Sequence, residues 1–143
     1  MYHFAPDPDQ PKAEAYRDLA EAAAALVAGE PDPVANMANL AALIWQFVPQ
    51  LNWAGFYRLI DGELVLGPFQ GKPACIRIPL DKGVCGAAAR SGQTQLVADV
   101  HAFPGHIACD AASRSELVVP VLRDGAVIAV IDLDSPEPAR FDA

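Results

Sequence analysis

The chain has 143 residues, 52% of them hydrophobic and 20% charged, with 10 Lys and Arg against 18 Asp and Glu for a formal charge of −8. That length and composition suit one compact domain with a real core and exclude a disordered chain. The acidic balance speaks against nucleic acid, whose phosphates need clustered Lys and Arg, and against an anionic membrane surface, while leaving room for a cationic group such as an ammonium.

Residues 1–12 are rich in Pro and Asp and read as an arm ahead of a single domain over 13–143. Residues 13–28 are Ala-rich with Leu19, Leu26 and Val27, a helix pattern that Gly29 ends. Asp32 is placed to cap a second helix with Pro33 at its first position, and Met37, Leu40, Leu43, Ile44 and Phe47 recur at helical spacing until Pro49. The period then changes. Asn52 to Ile60 reads as a strand, Asp61-Gly62 as a hairpin turn, and Glu63 to Phe69 as the return strand. Cys75 to Leu80 is expected as a third short strand, Val84 to Ser91 as a short helix, and Gln95 to Ala98 as strand. A long irregular stretch, Asp99 to Ser113, precedes a second hairpin built from Glu116 to Leu122 and Ala126 to Leu133 around Asp124-Gly125. Hairpins outnumber crossovers, so the expected class is α+β with a mainly antiparallel sheet flanked by helices. The chain closes on Arg140-Phe141-Asp142-Ala143, where Phe141 would suit the entry to another helix, whose absence is one reading of this ending.

No apolar run reaches the roughly 18 residues that span a bilayer. The opening MYHFAPDPDQPKAEAY has neither the basic nor the apolar region of a secretory signal, so the expected location is cytoplasmic. In that compartment Cys75, Cys85 and Cys109 read as inert thiols, metal ligands or redox catalysts rather than structural bridges. They contain no CxxC pair. A zinc site of three cysteines with His106 or His101 is one reading of them, disfavoured by the spacing. Cys85 sits among small residues at a helix start. It reads as a small buried hydrophobe, or as a thiol whose pKa the helix N-terminus lowers. Cys75 is open between a structural and a chemical role. Cys109 lies on the long loop near His106, Asp110, Ser113 and Arg114, where it reads either as an incidental loop thiol or as a thiolate favoured by cationic neighbours and loop amides.

Three carboxylates stand in apolar strands. Glu116 opens Leu117-Val118-Val119, and Asp132 and Asp134 alternate with Ile131 and Leu133, so the two aspartates share a face. That face is either solvated or a site for an ammonium group. Trp53 and Tyr57 likewise share one face of their strand, as core or as the wall of a ligand site.

Taken together, NWAGFY (52–57), GPFQGKPACIRIP (67–79), KGVCGAA (82–88), VADVHAFPGHIACDAASRSELVVP (97–120) and VIDLDSP (130–136) resemble the free methionine-(R)-sulfoxide reductase family, whose fold is a GAF domain. The resemblance covers nearly all of the chain after the first helix. FPGHIACDAASRSE and the three-cysteine spacing are its most specific parts. It implies that Cys109 is the nucleophile, that Cys75 forms a disulfide with it, and that Cys85 is a third, dispensable or alternative, resolving cysteine. It implies further that Trp53 and Tyr57 wall the methyl end of the substrate, and that Glu116, Asp132 and Asp134 bind the amino acid and assist at the sulfoxide. Thioredoxin would recycle the enzyme. Members of the family are often dimeric.

The implied chemistry is thiolate attack on a sulfoxide, with a carboxylic acid of raised pKa protonating the departing oxygen. It calls for no cofactor and no metal. A non-catalytic GAF-type sensor of small molecules or oxidants is the alternative expectation, since fold does not fix function.

Overall fold

The computed structural model describes residues 4–107 and 109–143, so the first three residues of the expected arm lie outside it. Helix α1 spans Lys12–Val27 and α2 spans Pro33–Phe47. Asp32 caps α2 as expected, its carboxylate accepting the amide of Ala35 at 2.8 Å, with Pro33 in the first turn, where no intrahelical donor is lost.

Strands β1 (Trp53–Ile60) and β2 (Glu63–Gly71) form the first hairpin, and β5 (Ser115–Arg123) and β6 (Ala126–Ser135) the second. Both turns take positive φ at both central residues, 50° and 81° at Asp61 and Gly62, 51° and 79° at Asp124 and Gly125. That twist matches the flanking strands and accounts for the choice of Asp-Gly. With β3 (Arg77–Pro79) and β4 (Gln95–Val97) they make one six-stranded sheet in the order β3-β2-β1-β6-β5-β4, every pair antiparallel. Helix α2 packs on β1 and β2, with α1 against α2. Helix α3 (Gly83–Ser91) packs on the opposite face, over β5 and β6. This is the α+β sandwich the sequence leads one to expect.

Two details depart from expectation. Strand β3 is confined to Arg77–Pro79, and Cys75 lies in the loop before it. Pro73 has no amide hydrogen to give a ladder, and the Cys75 carbonyl accepts the Tyr57 hydroxyl at 2.9 Å instead of a strand partner. The irregular stretch holds a 3₁₀ turn at Val100–Ala102, opened by the Asp99 carboxylate accepting the amide of His101. Phe141 starts no helix among the described residues; it packs beside Ala54 and Leu133.

β1 is the central strand, covered on both faces. Trp53 and Tyr57 join Leu64, Ile78, Val84, Cys85, Val118 and Val130 in the core beneath α3. Ala54, of opposite parity, is buried on the other side. Gly55 lies between them because β2 crosses there: a Cβ would stand 2.3 Å from the Cβ of Phe69.

Candidate active site

The β1–β6–β5 register assembles the site. Trp53 pairs with Asp134, Gly55 with Asp132, and Glu116 with Asp134. Alternation then turns Trp53, Tyr57, Glu116, Asp132 and Asp134 to the α3 face, where all five line one cavity. The solvated-face reading is therefore overturned for Asp132, which is 5% exposed beside Glu116 at 6%, while Asp134 is half-buried on the same cavity.

Cys85 enters from the first turn of α3. Its thiol donates to Glu116 Oε1 at 3.9 Å, a long sulfur contact. Burial, reinforced by the charges of Asp132, Glu116 and Asp134, pushes this thiol well above its ordinary range. Of the two readings of Cys85, the helix N-terminus therefore does not prevail; the buried neutral thiol does.

The loops close the cavity from the other side. Cys75 and Cys109 are joined in a disulfide, their Cα atoms 5.6 Å apart across 34 residues of sequence, and Cys85 is the free cysteine. Two of three thiols are thus committed to each other, so in this disulfide form the three cysteines do not together offer a zinc site. Trp53 Nε1 donates to the carbonyl of Lys72 at 3.2 Å and Tyr57 to that of Cys75, so both aromatics hold the Cys75 loop. Trp53 is itself stacked between Tyr57 and Phe69, with ring centroids 5.7 and 5.1 Å away. On the Cys109 side the side-chain amide of Asn52 donates to Asp110 Oδ2 and Ser113 Oγ, each at 3.0 Å, and Gly83 N donates to the Gly105 carbonyl. Arg114 stays exposed and outside the lining; Lys72 and His106 are the basic residues that line the cavity.

The electrostatics follow from the crowding. Glu116 is raised to about 8, first by burial and then by Asp134. Asp132 is raised well above the carboxylate range by burial and Glu116, and Asp134 by burial, Asp132 and Asp110. Burial first, and then the charge of Asp132, raises Tyr57, so it remains a neutral donor. Two or more acids in one dry space cannot all ionise without a cation. Asp110, by contrast, is held low by the amide of Ala112 and the amide side chain of Asn52.

Of the site residues expected from the sequence, Trp53, Tyr57, Cys85, Cys109, Glu116, Asp132 and Asp134 line this one cavity, and Cys75 is bonded to Cys109 beside it. Asn52, Phe69, Lys72 and Ser113 were not singled out. Asn52 and Phe69 belong to the quoted NWAGFY and GPFQGKPACIRIP segments, yet spacing alone does not tell an anchor from its neighbours. No described helix is long and apolar enough to cross a membrane.

Residues 34–143 match the GAF domain family. The chain is 52% identical over 130 residues to the free methionine-R-sulfoxide reductase of Escherichia coli, covering 91% of this chain and 79% of that one. It is 48% identical over 122 residues to the protein of the same name in Saccharomyces cerevisiae, covering 80% and 68%. Its fold superposes with a TM-score of 0.94, at 46% identity, on the free methionine-R-sulfoxide reductase of Neisseria meningitidis solved with its substrate, over 99% of this chain and 85% of that one.

Proposed function

The chain belongs to the free methionine-R-sulfoxide reductases of the GAF-domain family, and from that membership and its pocket we propose how it works. It reduces free methionine (R)-sulfoxide to methionine. The observation that carries the reading is a disulfide whose Cys109 lines the same cavity as Glu116, Asp132 and Asp134.

In this reading the Cys109 thiolate attacks the sulfoxide sulfur, being the soft nucleophile that sulfur requires. Glu116, at about 8, is mostly neutral at pH 7 and supplies the proton to the departing oxygen. The protonated oxygen passes to the Cys109 sulfur as the bond between the two sulfurs breaks onto the substrate, so methionine leaves as the thioether and Cys109 is left as a sulfenic acid. Cys75 then attacks the sulfenic sulfur, releasing water and forming the Cys75–Cys109 disulfide. Cys85 is a poor candidate for that second step, since it is buried and directed at Glu116. Asp132 and Asp134 pair with the ammonium of the free amino acid, a charge that a peptide-bound methionine lacks. Trp53 and Tyr57 offer apolar faces to the methyl end.

A dithiol reductant of the thioredoxin class reopens the disulfide, the protein acts in the cytoplasm, and two copies associate. A ligand sensor has no use for this combination of paired cysteines and buried acid. The direct test supplies racemic free methionine sulfoxide with thioredoxin and its reductase, and follows the epimers by chiral chromatography. The R form is expected to disappear while the S form persists; survival of both epimers would overturn the reading.

A further inference from the structure

We propose that Cys85, Glu116 and Asp132 form a binding site for a soft divalent cation of the zinc class at the floor of the pocket in the disulfide form. One ligand atom from each, the Cys85 sulfur and a carboxylate oxygen of Glu116 and of Asp132, lie within 4.8 Å of one another, and all three residues are buried. The group is assembled by α3, β5 and β6, packed elements rather than loops, so its donors are preorganised. The Asp132 carboxyl hydrogen-bonds with Glu116 and Cys85 inside the cluster, yet one of its oxygens is left over for a ligand. Asp132 Oδ1 is buried without a hydrogen-bond partner in a side chain only 5% exposed. An orphaned buried acceptor is costly, and a cation satisfies it.

One donor pair already has the right spacing, and a small closing of the others, which lie within 4.8 Å, completes the fit. Zinc–sulfur and zinc–oxygen bonds of about 2.3 and 2.1 Å together span at most about 4.4 Å. The 3.9 Å between Cys85 Sγ and Glu116 Oε1 already lies within that reach. Three protein ligands leave a fourth position facing the cavity, the arrangement of an open zinc site. Its free volume is about 40 Å³, space for an ion with a water or two and not for an amino acid. The sulfur donor favours zinc, cadmium or cobalt over magnesium or calcium, which prefer oxygen alone. The reaction proposed above gives Cys85 no task, so the site accounts for a thiol placed among acids. Occupancy would also take Glu116 and Asp132 away from the next sulfoxide, a consequence that rests on the catalytic reading, whereas the cation site does not.

The test uses the oxidised protein, in which Cys75 and Cys109 are locked together and Cys85 is the free thiol. Titration with cobalt(II) is expected to give a near-ultraviolet thiolate-to-cobalt charge-transfer band that saturates at one metal per chain, is abolished by zinc, and is absent in Cys85→Ser. No band, or a band that survives Cys85→Ser, overturns the proposal. Asp132→Asn keeps the sulfur and should weaken cobalt binding at least about tenfold; unchanged affinity would overturn it as well. The band is read without turnover. A chain that binds cobalt yet reduces no sulfoxide keeps the site and loses the catalytic reading, and one that reduces sulfoxide without showing the band loses only the site.

Discussion

Glu116 and Asp134 are direct register partners across β5 and β6, two carboxyl groups opposed on the buried face of a sheet. Like charges in that position destabilise a strand pair. Protonation relieves it, and in the proposed reaction this pair is the source of the acid that sulfoxide reduction needs.

A first prediction concerns stability against pH. Glu116 carries its proton in the folded state up to about 8 against an ordinary value of 4.5, so between those limits the folded chain binds more protons than the unfolded one. Stability is therefore fully present below the lower limit and falls as pH rises through the upper one. Asp132 and Asp134, also raised, act in the same direction. Thermal unfolding from pH 5 to 9 should show a declining Tm, and Glu116→Gln, neutral throughout, should flatten the decline. A Tm that rises across this range would contradict the assignment.

The same proton bears on rate. Single-turnover methionine formation should lose an alkaline limb near pH 8 when Glu116 is changed to Gln, along with much of its overall rate. Asp134→Asn keeps the shape of the side chain and removes its charge. We expect kcat/KM to drop tenfold or more, tenfold being about 1.4 kcal/mol. A rate within twofold of the parent would return Asp134 to a structural role.

Tyr57→Phe removes the donor to the Cys75 carbonyl and leaves that acceptor unpaired. The expected cost is about 1–3 kcal/mol in unfolding free energy, together with slower closure of the disulfide after the first turnover. Stopped-flow titration of free thiols reads the second effect, which a purely structural hydroxyl would not produce.

These effects also mark the limit of what the sequence discloses. The two Asp-Gly hairpins, the Asp32 cap and the shared face of Asp132 and Asp134 are local features, set by turn chemistry and alternation, and they are legible residue by residue. The same alternation does not say which face is buried. That depends on α3 covering one side and α2 the other, so Trp53 and the aspartates stayed open between core, surface and site. Cys75 was misplaced into a strand because Ile76 and Ile78 carry the alternating pattern. What takes its backbone out of the ladder is a hydroxyl from β1 and a sulfur 34 residues away. Cys85 was ambiguous for a similar reason: the helix start is visible locally, while the three acids that outweigh it come from other strands.

The division of labour between the sulfurs has its own signature. Cys109→Ser should form no methionine even in one turnover. Cys75→Ser should form one methionine per chain and then stall, with thioredoxin unable to restart it. Normal recycling in Cys75→Ser would transfer the resolving role to Cys85.

The most direct measurement mixes the fully reduced chain with excess racemic free methionine sulfoxide and no reductant, then counts methionine and maps the disulfide by mass spectrometry of peptides. The account predicts one methionine per chain, taken from the R epimer, and a single link between Cys75 and Cys109. A link through Cys85, or methionine formed with all three thiols still free, would contradict it.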